Sequence, residues 1–285
     1  MEYLERDGVR LAYTDTRSGQ PAVVLLHGMA CLHEHMQPLV DVLSPSYRCV
    51  ALNLRGHGQS SVPDGPFTMD AFTADLAFAI DQLDLDRPVL IGHSFGGSIS
   101  LAFASAHPER VRSLVMLDSG LRAVETVGED LNPFYDALRA ADDEGYARVV
   151  REFVLTRLFD AVDDRVVAAE VADVMAAVPR HVFLSMANTV TSFHSANAAL
   201  ACTVPSMIVQ SRQSFTDPVV LAQLASNWHI AQVVGAGHFL QLLVPEQVNA
   251  MVLRFLEMTA EQAVEQSADR SARGSELTDR PRATR

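Results

Sequence analysis

A serine between two glycines constrains this chain more than any other feature of its sequence. Residues 92–96 read Gly-His-Ser-Phe-Gly, after an apolar run at 89–91 and before a helical pattern at 97–104. We expect a buried strand, a sharp turn and a helix, with Ser94 at the tip of the turn. A Cβ on either flanking glycine would collide with the strand or the helix. In this context the pattern G-x-S-x-G indicates an activated serine nucleophile; a serine that only caps the helix is the alternative.

Composition narrows the classes of function. All 22 basic residues are arginine, and the absence of lysine excludes Schiff-base chemistry, lysine-bound pyridoxal phosphate and a Walker phosphate loop. The net charge of −13 disfavours nucleic acid and anionic membranes as partners. No apolar stretch approaches the roughly 18 residues of a membrane span, and residues 1–6 lack the apolar core of a signal peptide. We therefore expect a cytoplasmic protein that acts on a small molecule.

The cysteines indicate neither a disulfide framework nor a zinc site, because Cys31, Cys49 and Cys202 are widely separated along the chain. Buried free thiols are the expected state. No spacing among the histidines indicates a metal site either. We therefore expect no metal and no other cofactor.

Short apolar segments alternate with longer amphipathic ones along most of the chain. A hairpin is expected at the start, because residues 3–6 and 9–13 flank Asp7-Gly8, a dipeptide suited to a type I′ turn. The further predicted strands lie at residues 22–26, 48–52, 89–91, 111–117, 206–209 and 230–234. Strands that alternate with helices predict an α/β fold, with a mostly parallel central sheet and helices on both faces.

One long stretch breaks this alternation. Residues 121–203 contain helix-like segments, such as 146–159, but no convincing strand. We interpret this stretch as a helical cap inserted into a core made of residues 1–120 and 204–258. Residues 259–285 are polar and rich in arginine, glutamate and serine, which predicts a disordered tail beyond a terminal helix.

A serine nucleophile needs a general base within hydrogen-bonding reach, and His238 is the best candidate in the chain. It lies in the sequence Gly-Ala-Gly-His-Phe at 235–239, after the last predicted strand and before the last helix. Loops at the carboxyl ends of parallel strands share one edge of a sheet. His238 and Ser94 are therefore expected to meet at that edge.

An acyl-transfer site also needs N–H donors for the oxyanion. We expect one donor to be the amide of Phe95, which follows the serine at a helix N-terminus. The second is expected to be the amide of Met29, in the loop after the strand at 22–26. Gly28 would let this loop turn close to the site, and His27 is expected to hold the loop in place.

Further side chains are candidates for contact with substrate. We predict that Gly28, His93, His35 and Phe239 line the binding site, with a solvated position at a helix start as the alternative for His35. Apolar residues of the inserted stretch could supply a largely apolar lining, with a place in the hydrophobic core as the alternative for most of them. These residues are Met175, Val178, Phe183, Leu184, Met186 and Phe193.

The chain resembles the α/β-hydrolase family with a helical cap. The matching motifs are His-Gly at 27–28, Asn-Leu-Arg-Gly-His-Gly-Gln-Ser at 53–60, Gly-His-Ser-Phe-Gly-Gly at 92–97 and Gly-His-Phe at 237–239, in the family's order over residues 1–257. The resemblance implies the α/β-hydrolase fold and a Ser–His–acid triad, in the chain order serine, acid, histidine. It also implies that the cap shapes the substrate pocket.

The acid departs from the family's pattern. Most members carry it after the strand that follows the cap, where this chain has Ser214 instead of aspartate. Asp217 lies three residues further on, but it precedes Pro218 at a helix start, as an N-cap would. Some relatives place the acid where Asp118 lies, at the end of the strand at 111–117, among them fungal-toxin lactonases and cofactor-free quinoline dioxygenases. We predict Asp118 as the acid, with Asp217 in reserve.

The favoured hypothesis is hydrolysis of a carboxylic ester or lactone through an acyl-enzyme on Ser94. Serine here argues against epoxide hydrolases and haloalkane dehalogenases of this fold, which use aspartate. One alternative is a carbon–carbon bond hydrolase, and another is a cofactor-free dioxygenase in which His238 and Asp118 form the base and Ser94 only binds substrate. A catalytically inactive, ligand-binding relative is an alternative of another class. We expect a largely apolar small-molecule substrate and a monomer or homodimer.

Overall fold

The protein is built on one central sheet. The structure is a computed structural model that describes residues 1–122 and 131–278; of residues 262–278 it describes only the helical backbone. The sheet has the strand order β1-β2-β4-β3-β5-β6-β7-β8. Its strands are β1 (Glu2–Arg6), β2 (Val9–Asp15), β3 (Ala22–Leu26), β4 (Arg48–Leu52), β5 (Val89–His93), β6 (Ser113–Leu117), β7 (Ser206–Gln210) and β8 (Trp228–Gln232). β2 runs antiparallel to β1 and β4, and all other neighbours are parallel. The predicted α/β class is confirmed.

Helices cover both faces of this sheet, as predicted. The helices are α1 (Gln37–Leu43), α2 (Met69–Gln82), α3 (Phe95–Ala106), α4 (Asn132–Ala140), α5 (Asp143–Phe153), α6 (Arg165–Ala176), α7 (Arg180–Ser192), α8 (Ser195–Ala201), α9 (Pro218–Leu224), α10 (Leu240–Leu243) and α11 (Pro245–Thr278). Successive side chains of a strand point to opposite faces. Val23 and Leu25 of β3 therefore pack with α1 and α11, whereas Val24 and Leu26 pack with α2 and α3.

The first two strands form the predicted hairpin. Arg6 pairs with Val9, so that only Asp7 and Gly8 connect the strands. Both connecting residues have positive φ, 50° and 79°. Two successive residues with positive φ are the requirement of a type I′ turn, and aspartate followed by glycine meets it.

The stretch between β6 and β7 contains helices α4 to α8 and, in its described residues, no strand. A helix predicted over 146–159 is observed in two parts, because α5 ends at Phe153 and a π-helical turn follows over Val154–Leu158. The apolar period of the sequence continues through both parts, so it does not reveal the change in winding. Residues 123–130 of the predicted cap lie outside the described residues.

The last strand differs from its predicted bounds. The strand was predicted at residues 230–234. The observed β8 runs from Trp228 to Gln232, so it begins and ends two residues earlier. It lies at the edge of the sheet, where Ile230 is 41% exposed, and Val234 beyond it is 79% exposed. The prediction placed the strand by its apolar residues, but in this edge strand apolar residues are not buried.

The predicted tail from residue 259 falls on α11 and on residues 279–285, which lie outside the described residues. None of the helices described is both long and apolar enough to cross a bilayer.

Two buried histidines fasten the loop after β3 to the loop after β4. Nε2 of His27 accepts a hydrogen bond from the Leu54 amide at 3.0 Å, and Nε2 of His57 accepts one from the Ala30 amide at 3.0 Å. Nδ1 of each ring lies within hydrogen-bonding distance of a backbone carbonyl, so Nδ1 carries the proton and each ring is neutral. Burial lowers the pKa of both rings, that of His57 to about 4. His27 thus holds its loop, as predicted.

The low pKa of His57 predicts a loss of stability in mild acid. The unfolded chain takes up a proton near pH 6.5 that the folded ring takes up only near pH 4. Stability is therefore fully present above pH 6.5 and falls between pH 6.5 and 4, by up to about 1.4 kcal/mol per pH unit from this ring. Urea unfolding at pH 7, 6 and 5 measures the effect. His57→Gln should make the fall shallower, and the part that remains comes from other buried rings such as His27 and His93, whose pKa burial also lowers. An equally steep fall in that variant would contradict this explanation.

Candidate active site

Ser94 lies in the turn between β5 and α3, in a strained backbone conformation. Its φ of 51° and ψ of −118° lie outside the regions that residues with a side chain favour. The Ser94 amide donates a hydrogen bond to the carbonyl of Leu117 at the end of β6, at 2.9 Å. Helix α3 begins at the next residue. The turn therefore holds the serine at the carboxyl edge of the sheet.

Both glycines that flank the serine are required by packing. A Cβ on Gly92 would lie 2.3 Å from the backbone carbon of Gly96. A Cβ on Gly96 would lie 2.3 Å from the carbonyl oxygen of Leu26. No real Cβ approaches backbone atoms so closely, so α3 starts this near β3 and β5 only with glycine at both positions. The steric reason predicted for these glycines is confirmed.

His238 and Asp118 form a hydrogen-bonded pair at the same edge of the sheet. Nδ1 of His238 lies 2.7 Å from Oδ2 of Asp118, whose side chain is fully buried. The other carboxylate oxygen, Oδ1, accepts a hydrogen bond from the Ser211 amide at 2.8 Å. Because carboxylate oxygens only accept, Nδ1 of His238 carries the proton, and Nε2 is the nitrogen left to act as a base.

The reserve acid, Asp217, occupies a different place. Its Oδ1 accepts a hydrogen bond from the Val219 amide at 2.8 Å, so it caps the N-terminus of α9. Ser214, where the family's pattern has aspartate, accepts a hydrogen bond from the Thr216 amide at 3.2 Å. Of the two predicted acids, the structure brings only Asp118 to the imidazole of His238.

The two predicted oxyanion donors lie next to the serine. Phe95 is the first residue of α3, where amide N–H groups have no partner within the helix. The Met29 amide has no hydrogen-bond partner among the described residues. Its neighbour Gly28 packs against the serine turn, since a Cβ there would lie 2.9 Å from Nδ1 of His93 and 3.2 Å from Cβ of Ser94. The loop after β3 therefore touches the turn that carries the serine.

A cavity of about 110 Å³ adjoins these groups. The predicted site residues in its wall are Gly28, Met29, His93, Ser94, Phe95, Asp118, His238 and Phe239. Among the six apolar residues considered for its lining, Met175 and Phe193 line it, while Val178, Phe183 and Met186 belong to the hydrophobic core and Leu184 packs against that core. No hydrogen bond joins Ser94 Oγ to His238 in the described part of the chain, although both side chains face the same cavity.

Two of the predicted substrate contacts have other partners. His35 is not in the cavity wall, and its partly buried ring packs edge-on against Phe239, with ring centroids 6.0 Å apart. Burial lowers the pKa of His35 to about 4, so this ring is neutral near pH 7. His93 borders the cavity but is fully buried, and its Nε2 donates to the carbonyl of His238 at 3.0 Å. His35 thus lies outside the cavity wall, because a position near the loop after β3 does not determine the direction of a side chain, whereas His93 borders the cavity as predicted.

The loop that carries His238 is fastened by residues that no sequence pattern indicated. The His238 amide donates a hydrogen bond to the carbonyl of Leu158, and the Gly237 amide donates to the carboxylate of Asp163. The ring of Phe215 meets the His238 imidazole edge-on, with centroids 5.2 Å apart. Leu158 and Asp163 are more than 70 residues from the loop, so no local signal reveals these contacts.

The cysteines are free and buried, as predicted. Cys31 lines the cavity, but burial raises the pKa of its thiol well above the usual range. Burial raises the pKa of the Cys49 thiol to about 12. Both thiols therefore stay protonated and are poor nucleophiles. Among the described residues, no cluster of three or more His, Cys, Asp or Glu side chains is suited to hold a metal ion.

Several proteins named as hydrolases, an esterase or a lactonase resemble this chain in sequence or in fold. A 2-hydroxy-6-oxo-6-(2'-aminophenyl)hexa-2,4-dienoic acid hydrolase of Metapseudomonas resinovorans is 26% identical over 278 residues, which cover 91% of this chain and 93% of the relative. An enol-lactonase structure from Burkholderia xenovorans LB400 has a TM-score of 0.78 at 23% identity, over 90% of this chain and 100% of that one. A thermophilic esterase structure from Thermogutta terrifontis has a TM-score of 0.80 at 21% identity, over 91% and 99%.

The two structural likenesses show the fold, and the family follows from the sequence. A family model described as alpha/beta hydrolase fold matches residues 21–245, well over half of the chain. The match contains the strained serine turn and the loop of His238. The chain therefore belongs to the α/β-hydrolase fold family.

Proposed function

We propose that this protein is an enzyme, a serine hydrolase that cleaves a carboxylic ester or a lactone through an acyl-enzyme on Ser94. One observation carries the proposal: the hydrogen bond between His238 and the buried Asp118, in the wall of the cavity that Ser94 also lines. Acyl transfer needs such an arrangement, because the acid orients the imidazole and the imidazole activates the serine. Membership of a hydrolase family supports the proposal.

In the proposed mechanism, Nε2 of His238 takes the proton of Ser94 as Oγ attacks the carbonyl carbon of the substrate. Asp118 stabilises the resulting imidazolium without taking its proton. The amides of Met29 and Phe95 donate hydrogen bonds to the carbonyl oxygen as it becomes negative. The imidazolium then protonates the leaving oxygen, and the C–O bond of the ester breaks. Water, deprotonated by the same imidazole, finally releases the acid and restores the serine.

The substrate-free geometry is compatible with this sequence of steps. Ser94 and His238 share a cavity without a hydrogen bond between them. Catalytic hydrogen bonds are often long in substrate-free enzymes and tighten in the complex. The acid already orients the imidazole, so the hydrogen bond between Ser94 and His238 is the contact of the triad that remains to form.

The cavity wall supports a largely apolar substrate. Phe134, Leu158 and Met175 contribute to it, and all three come from the helices inserted between β6 and β7. We infer that residues 121–203 act as the cap that shapes the pocket above the core formed by residues 1–120 and 204–258. The esterase and enol-lactonase with the same fold are named for bonds of this chemical class.

The proposed mechanism uses only side chains, backbone amides and water, so it needs no cofactor. A net charge of −13 disfavours nucleic acid and anionic membranes as partners. We therefore propose a small-molecule hydrolase of the cytoplasm. Both a monomer and a homodimer are compatible with a site whose proposed groups all belong to one chain.

A carbon–carbon bond hydrolase is the second candidate. It is favoured by the match over 91% of the chain to a relative named as the hydrolase of a hydroxy-oxo-hexadienoic acid. In that reaction Ser94, His238 and Asp118 would act on a ketone carbonyl, and a carbon–carbon bond would be cleaved instead of a C–O bond. Product analysis separates the candidates, since an ester yields an alcohol and an acid, whereas a diketone-like substrate yields an acid and a shorter ketone.

Ser94 should be labelled by an active-site phosphonate. We expect stoichiometric addition of the phosphonyl mass to Ser94 in intact-protein and peptide mass spectrometry, because the His238–Asp118 pair activates its hydroxyl. Ser94→Ala is the control and should gain no mass. Tight ligand binding without labelling would instead indicate a binding protein. Oxygen consumption with a hydroxyquinolone-type substrate would indicate a dioxygenase.

Asp118→Asn should be far more damaging than Asp217→Asn. The uncharged amide cannot stabilise the imidazolium, and its NH2 group can donate to Nδ1 and so favour the wrong tautomer; kcat for p-nitrophenyl butyrate should therefore fall by about a thousandfold or more. Asp217→Asn retains a side chain able to cap α9, and should leave kcat within about twofold of the wild type. The reverse outcome, with Asp217→Asn inactive and Asp118→Asn nearly normal, would refute the assignment of the acid.

A further inference from the structure

A short segment of the inserted region, residues 158–163, lies directly against the loop that carries His238. This loop, residues 235–238, connects β8 to the helix that begins at Leu240. The two segments are joined by backbone hydrogen bonds, a carboxylate and stacked aromatic rings. None of these groups has a part in the proposed chemical steps.

The first contact involves the backbone of the base itself. The π-helical turn Val154–Leu158 ends at Leu158, and the carbonyl of that residue accepts the His238 amide hydrogen at 2.9 Å. Carbonyls at the end of a helix have no partner within it and are free to accept elsewhere. Leu158 also lines the cavity, so one residue borders the substrate and holds the base.

The second contact is the carboxylate of Asp163. It accepts the Gly237 amide hydrogen, with Oδ2 at 3.2 Å and Oδ1 at 3.3 Å from the nitrogen. Oδ2 also accepts the Asp160 amide hydrogen at 2.6 Å. Glycine is required at 237, because a Cβ would lie 2.6 Å from Oδ2 of Asp163 and 2.7 Å from the carbonyl oxygen of Leu158. The carboxylate and the loop therefore fit each other closely.

Two further contacts extend the connection. The rings of Phe159 and Phe239 stack with centroids 5.2 Å apart and planes 10° from parallel. Arg212 donates two hydrogen bonds to Asp160, at 2.8 and 3.2 Å. Arg212 directly follows Ser211, whose amide donates to Asp118. Residues 158–163 thus connect the loop of the base with the loop that supports the acid.

We propose that Asp163 is a positioning residue for His238: its carboxylate joins the inserted region to the base loop and holds the imidazole where it can reach Ser94. This inference rests on the proposed function. Asp118 holds only Nδ1 of the His238 ring. The backbone of the loop is held by the hydrogen bonds from the His238 amide to Leu158 and from the Gly237 amide to Asp163. A displacement of about 1 Å in a reacting group can reduce turnover by a hundredfold. Loss of this support should therefore lower kcat more than it weakens substrate binding.

Three substitutions of Asp163 separate geometry from charge. Oδ2 lies within hydrogen-bonding distance of both the Asp160 and the Gly237 amides, so the single carbonyl oxygen of Asp163→Asn can accept from both. Asp163→Glu keeps the charge but moves the carboxylate by one methylene, and Asp163→Ala removes the acceptor. Asp164→Ala is the matched control, because Asp164 is an adjacent acid that caps α6 through the Val166 and Val167 amides.

The measurements are kcat and KM for p-nitrophenyl butyrate, the melting temperature, and hydrogen exchange of the peptide containing residues 235–239. We expect Asp163→Ala and Asp163→Glu to lower kcat by about tenfold or more, with KM within about twofold, and Asp163→Asn to stay within about threefold of the wild type. Exchange at Gly237 and His238 should become faster in the Ala and Glu variants only. Asp164→Ala should lower the melting temperature without changing kcat.

Several results would overturn the inference. One is a normal kcat in both Asp163→Ala and Asp163→Glu, with the melting temperature lowered as in Asp164→Ala. Unchanged exchange at residues 235–239 is another. If Asp163→Ala does not fold, the comparison of Asp163→Glu with Asp163→Asn decides, and equal kcat values refute the role. A wild type that neither hydrolyses the ester nor reacts with a phosphonate would refute the proposed function, while hydrogen exchange would still decide whether Asp163 holds the loop.

Discussion

Helix α3 begins in near-contact with the backbones of β3 and β5, and the candidate site depends on this close approach. Gly92 and Gly96 make it possible, because any Cβ at these positions would overlap backbone atoms. The short distance bends the chain so sharply that Ser94 adopts a positive φ. It also places the loop after β3 against the serine turn. The amides of Met29 and Phe95 therefore belong to two backbone segments that pack closely against each other. The positions of the serine turn and of the loop after β3 therefore depend on backbone packing.

Neutral histidines maintain the surroundings of this turn. His27, His57 and His93 are fully buried, and each makes at least one hydrogen bond to the backbone. A charged ring would need to donate from both nitrogens, whereas the Leu54 and Ala30 amides require acceptors. Burial lowers the pKa of all three rings and keeps them neutral near pH 7. In this region histidine therefore serves mainly as a neutral connector between backbone segments.

Features encoded by neighbouring residues could be predicted from the sequence. The hairpin at Asp7-Gly8, the strand–turn–helix around Ser94 and the helix-capping position of Asp217 each depend on a few consecutive residues, and the structure shows all three. The pairing of Asp118 with His238 was also predicted, because parallel strands bring their carboxyl ends to one edge. The bounds of β8 were misplaced, since an edge strand is half exposed and its apolar pattern is weak. The contact of Asp163 with Gly237 spans 74 residues and has no local pattern.

The position of Asp118 has a consequence for how this chain can vary. With the proposed acid, Asp118, directly after β6, the loop after β7 supplies the Asp118–His238 pair with one backbone N–H, that of Ser211. Every amino acid except proline carries such a group, so the hydrogen bond places almost no demand on the side chain at 211. Where a family member keeps its acid in that loop, a mutation there removes the charge itself. Here the side chain at 211 can change without loss of that hydrogen bond, whereas Arg212 and Phe215 of the same loop contact Asp160 and the His238 ring.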